Sequence, residues 1–130
     1  MQIHIKKIIR PLDLGTYAKE YEGQTVQVWV NPTLEMIQRE RLLDEEMRTR
    51  AEAAVTQESA EEFSAWVKGT FEPFLQSWFA ELWSQHADPA THWTTDELRA
   101  LETHDPALLH WLNFRTRQMM AEHRRIEKKN

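Results

Sequence analysis

The order of apolar and polar positions divides the chain into an extended start and a helical remainder. "TVQVWV" alternates cleanly, with Val26, Val28 and Val30 on one side and Gln27 and Trp29 on the other. A period of two among β-branched residues predicts a strand over Thr25–Val30. "QIHIKKII" has apolar residues at 3, 5, 8 and 9, interrupted at Lys6 and Lys7. It predicts a second strand over Gln2–Ile9. Between them, "RPLDLGTYAKEYEGQ" reads as a long loop punctuated by Pro11, Gly15 and Gly23. Two strands alone are marginal in water, so they need helices or another chain's sheet to pack on.

Beyond residue 30 the period changes to three and four. Asn31 suits an N-cap and Pro32 the first helical position, which predicts a helix running to about Val55. Its apolar stripe is thin, with Leu34, Ile37, Leu43, Met47, Ala51 and Ala54 among charged faces. Ser59 followed by Glu62 has the form of a capping box. The next helix carries Phe63, Trp66 and Val67, then "KGTFEPFLQSWFAELW", in which nine of sixteen residues are apolar or aromatic. Pro73 removes the donor to the Gly69 carbonyl, so a kink or a split is expected near 69–72, with Thr70 able to cap a second helix. "SQHADPATHW" reads as a loop. Thr94 and Glu97 open a short helix, and Asp105 with Pro106 opens the last one. Leu108, Leu109, Leu112 and Met119 form the last helix's apolar face, and its basic end suits a C-terminus.

The expected fold is α+β and mostly α: an N-terminal two-stranded β unit followed by four or five helices. At 130 residues the chain is expected to be a single domain. Its parts are a β unit over 1–31, a charged helix over 32–57, and an aromatic-rich helical part over 58–130 with a basic tail.

Composition changes this picture in a few places. No apolar run approaches the roughly 20 residues that span a bilayer, and the start lacks a signal-peptide pattern. Cysteine is absent, which removes disulfides and thiol chemistry and fits a reducing cytoplasm. The net charge of −5 is unevenly spread. Ten acidic residues face two basic ones from Glu58 to Asp105, whereas six basic residues face two acidic ones from Phe114 to Asn130. Solvated helix faces account for this, and head-to-tail pairing between subunits is the alternative. One basic tail on an acidic chain is a poor footprint for nucleic acid.

Candidate chemistry is sparse. Six histidines include His86 and His92, but no HExxH or i, i+4 pair that would place two on one helix face toward a metal. No G-x-S-x-G, P-loop or G-x-G-x-x-G is present, and three glycines leave little room for phosphate cradles. The reading is therefore not an enzyme, with no cofactor and no metal. Aromatics are the unusual feature, with six tryptophans and five phenylalanines. Most belong in a core, yet a small domain has difficulty burying all of them, and tryptophan is enriched at binding hot spots. Phe71, Phe74, Trp78, Trp83 and Trp29 are the candidate partner-binding residues, with Phe74, Trp78 and Trp83 expected at the rim of a helical groove. Self-association is also expected, helped by an exposed strand edge at Val26–Val30.

The pattern "PLDL…Y…GQ…VWVNP" at 11–32, followed by a charged helix and an acidic, Trp-rich helical half with "W…ELRAL…DPALLHWL", resembles tail assembly chaperones of long-tailed bacteriophages. The resemblance implies a non-enzymatic protein of the host cytoplasm, absent from the mature virion. It also implies binding to the tape measure protein and help in recruiting tail tube subunits. It carries over no site residues. Two other readings remain beside it: a head–tail connector or similar phage adaptor, and a small helical regulator whose basic tail contacts nucleic acid.

Overall fold

The computed structural model describes residues 6–83 and 95–129. The fold is α+β and mostly helical, an N-terminal two-stranded antiparallel sheet followed by four helices. Packing groups the chain into two compact units, one of Met1–Pro32 with Ala80–Asn130 and the other of Thr33–Phe79. This grouping differs from the three successive parts expected along one domain.

In the first unit, β1 (Ile9–Asp13) pairs antiparallel with β2 (Thr25–Trp29), placing Ile9 opposite Trp29 and Asp13 opposite Thr25. The first strand thus begins where the expected one ends, and the presumed loop supplies residues 10–13. Residues 2–5 of the expected strand lie outside the described residues. Pro11, expected in the loop, lies within β1 opposite Gln27, and the hydrogen-bond parity explains how the strand holds it. Val30 N–H donates to the Ile8 carbonyl and Leu14 N–H to the Gln24 carbonyl, each at 3.0 Å. Bonded pairs recur every second residue in an antiparallel ladder, so the even positions of β1 bond to β2. Pro11 falls in the odd set, where β2 needs no donor.

Asn31 is not the helix cap. Its Oδ1 accepts the Ile8 N–H at 2.7 Å and its Nδ2 donates to the Lys6 carbonyl at 2.8 Å. Two short 3₁₀ turns, Leu14–Thr16 and Lys19–Tyr21, carry the chain between the strands. The return to β2 uses Gly23 at φ 87°, a conformation that favours glycine.

The same unit holds α4 (Thr95–His104) and α5 (Pro106–Lys129). The expected loop over 84–93, the cap at Thr94, His86, His92 and Trp93 lie outside the described residues. Asp105 caps α5 as expected, accepting the Leu108 N–H on Oδ1 at 3.1 Å. Leu14, Val28, Leu82, Leu108 and Leu112 are fully buried in the core. The buried face of α5 continues through Thr116, Met119, Met120 and His123. Leu109 is only half-buried.

The second unit is a helical hairpin. Its first arm is α1 (Leu34–Ala53), capped by Thr33, whose Oγ1 accepts the Met36 N–H at 3.3 Å. The return arm is one continuous helix: α2 (Gln57–Trp66), a π-helical stretch (Val67–Phe71) and α3 (Glu72–Trp83), whose last residues from Ala80 on belong to the first unit. Thr56 caps α2 in a reciprocal box with Ser59, three residues before the expected start. The hydroxyls of Thr56 and Ser59 satisfy the free amides there, so Glu62 is not used.

Candidate functional site

The hairpin's own sequence leaves it thinly covered. About 100° per residue puts Met36, Glu40, Leu43, Met47, Arg50 and Ala54 on one stripe of α1. Two of the six are charged, and only Met36 is buried. Leu34, expected on the apolar stripe, is 68% exposed on another face. The pairs Arg48–Asp44 at 3.1 Å and Arg50–Glu46 at 3.0 Å run along exposed faces, where each contributes only a few tenths of a kcal/mol. From Ile37 through Ser77 no residue is buried. Helices draw most of their stability from tertiary packing, so this stretch has an incomplete interface.

The expected disturbance near Pro73 takes the form of a wide turn, not a break. Glu72 N–H donates to the Val67 carbonyl, five residues back, and Thr70 does not recap the helix. A five-residue step in an ideal α-helix turns about 140° past a full circle, whereas a π turn brings such residues back to one side. Phe71 consequently stacks on Trp66, centroids 5.8 Å apart and planes at 28°. Phe63 also stacks with Trp66, centroids 6.4 Å apart and planes at 22°. The Arg50 guanidinium sits 4.7 Å over the Trp66 ring. Phe63, Trp66, Phe71, Phe74 and Leu75 are all half-buried. The surrounding charges on this arm are Glu58, Glu61, Glu62 and Glu72 against Lys68.

Three of the five expected partner-binding residues sit inside the chain. Trp78 is 5% exposed, donates its Nε1–H to the Met36 carbonyl at 2.9 Å, and meets Phe79 edge-on at 5.1 Å. Trp83, in the first unit, is equally buried and donates to Thr116 Oγ1 at 2.9 Å. Trp29 is buried with the Lys7 ammonium 4.4 Å from its ring centroid. These side chains are core because each ring has found apolar cover within the chain, so the rim expected at Trp78 and Trp83 is not free surface. Phe71 and Phe74 are covered only in part. Phe63 and Trp66 complete the surface, although the sequence reading placed them only on the apolar face. Their signal was the five-residue step from 66 to 71, which an α period alone does not bring together.

In the first unit Tyr17 packs 5.3 Å from Trp111, and the Tyr21 hydroxyl donates to Asp105 Oδ2 at 2.6 Å. The hydrogen bond to Asp105, then burial and the carboxylate's charge, push the Tyr21 pKa from its ordinary value near 10 up to about 12. Both carboxylate oxygens of Asp105 are thereby engaged, one on the helix cap and one on Tyr21. Among the described residues, no group of three His, Asp or Glu side chains is arranged to hold a metal ion, and no helix is long and apolar enough to cross a membrane. No known protein family, curated protein or solved structure matches the chain.

Proposed function

We propose that this protein is a non-enzymatic assembly chaperone of a long-tailed bacteriophage, which holds helical segments of the tape measure protein and helps recruit tail tube subunits. One observation carries the reading: a helical hairpin without a buried residue from Ile37 through Ser77 presents a three-ring aromatic stack at its wide turn. A partner helix laid along Phe63, Trp66, Phe71 and Phe74 supplies the missing apolar cover in the helix-in-groove manner. The acidic rim around them favours a helix with basic flanks and raises the rate of encounter. The resemblance over 11–32 supplies the biological setting, including the host cytoplasm, and the acidic middle, basic tail and excess aromatics add a second copy of the chain as a further partner.

Co-expression with a tape measure segment tests this. The wild-type chain keeps the segment soluble and co-purifies with it, and Trp66→Ala loses at least tenfold in affinity while the chain stays folded. Insolubility of the segment in both cases removes the reading. Binding to portal or capsid parts instead makes the protein a head–tail connector.

A further inference from the structure

A second surface, independent of the hairpin, lies wholly in the first unit. A groove of about 460 Å³ opens between β1 and the C-terminal half of α5, within the roughly 300–1,000 Å³ of ligand sites. Arg10 and Leu12, from one face of the strand, line it together with Pro11 and Asp13 from the other. Only the edge of a strand borders both faces, so the groove runs along the edge of β1 turned away from β2. The ladder parity that keeps Arg10 and Leu12 bonded to β2 sends the N–H groups of Ile9 and Asp13, and the carbonyls of Ile9 and Pro11, toward this side. The Asp13 carbonyl is taken by the Thr16 hydroxyl at 2.7 Å.

We infer that this groove receives an extended segment of a partner polypeptide, which adds to the outer edge of β1 as a third strand. Backbone groups repeating at strand spacing are matched by another backbone. The lining charges have both signs, Arg10 and Arg115 against Asp13 and Glu122, which suits a peptide of mixed charge and disfavours a small anion. Met119 and Ile126 give the helix side an apolar wall for alternate side chains of the incoming strand. Pro11 withholds one donor from the middle of the edge. Strands that need a full ladder are rejected, which protects the edge from indiscriminate pairing.

The test selects binders to the full chain from a random seven-residue peptide library and follows amide exchange with the best of them. Saturation slows exchange at Ile9 and Asp13 at least tenfold and changes Arg10 and Leu12 by less than twofold. N-methylation of alternate peptide amides abolishes binding in one phase and spares it in the other. Ile126→Arg, at a half-exposed position on the wall, weakens binding at least tenfold without unfolding the chain. The inference is overturned if no peptide is selected, or if the selected peptides leave Ile9 and Asp13 unchanged. Protection without peptide overturns it as well: when it grows with protein concentration a second copy occupies the edge, and when it does not the chain covers its own edge.

Discussion

The two units carry apolar residues in similar proportion and put them to different use. In the first, Leu14, Leu108 and Leu112 show no accessible surface, and Trp83 and Tyr21 find side-chain partners in Thr116 and Asp105, while the buried Trp29 Nε1 and Asn113 Oδ1 meet none. In the second, burial is confined to Met36, Trp78 and Phe79, near the two ends of the unit's chain segment, while the rest of the hairpin holds its aromatics half-covered. A tryptophan-rich composition therefore says little by itself about where binding occurs. The fully covered rings belong to the fold whether or not an acceptor meets them, and the half-buried stack held by other rings and one guanidinium is available to a partner.

The sharpest way to break that contrast is to empty one site in each unit. Leu112→Ala lowers stability by about 2–5 kcal/mol, the range for a large side chain lost from a packed core. Leu43→Ala, half-buried on α1, lowers it by about 1 kcal/mol or less. Urea unfolding of the two variants measures the difference, and equal losses would erase the distinction between the units.

Next in size is Trp83→Phe, which keeps much of the ring but deletes the donor to buried Thr116. A loss of about 1–3 kcal/mol is expected, partly recovered when Thr116→Val is added. Non-additivity in this double-mutant cycle separates the hydrogen bond from the packing.

Tyr21→Phe has a smaller effect, about 1 kcal/mol, and a pH signature. The folded state raises the Tyr21 pKa above its unfolded value, so the stabilisation is complete below pH 10 and is lost as pH rises toward about 12. Thermal melts of wild type and Tyr21→Phe should converge across that window. Parallel curves would mean that the hydroxyl contributes nothing through Asp105.

The smallest change has the opposite sign. A Cβ added at Gly69 meets nothing within 4 Å, and the residue's backbone is helical. Gly69→Ala should stabilise the chain by about 0.4–1 kcal/mol, mainly by restricting the unfolded state. A loss instead would show that the wide turn depends on glycine.

How much of this was legible in the sequence follows from which interactions are local. β2 and the Asp105 cap of α5 were readable because alternation and capping act within a few residues. β1 was misplaced because Pro11 is disqualifying only at a bonded position, and bonding parity belongs to the pair of strands. Asn31 looked like a cap because its second use, bridging Lys6 and Ile8, reaches back 23 to 25 residues. The Thr56–Ser59 box was missed in favour of the commoner Ser–Glu spelling. At the candidate surface, Phe71 and Phe74 were legible, while Trp78 and Trp83 were assigned outward because their acceptors, the Met36 carbonyl and Thr116, lie 42 and 33 residues away.

The wide turn at Val67–Phe71 has a consequence for chain length. One residue more than an α turn requires sets everything beyond it back by roughly 100°. Closing the turn into uninterrupted α-helix with every residue kept would rotate α3 about its axis, carrying the Trp78 indole away from the Met36 carbonyl it now meets, whereas deleting Gly69 would close it and leave α3 in phase. The wide turn thus absorbs one extra residue, a single codon, while the anchoring tryptophan beyond it stays in phase with the start of the helix.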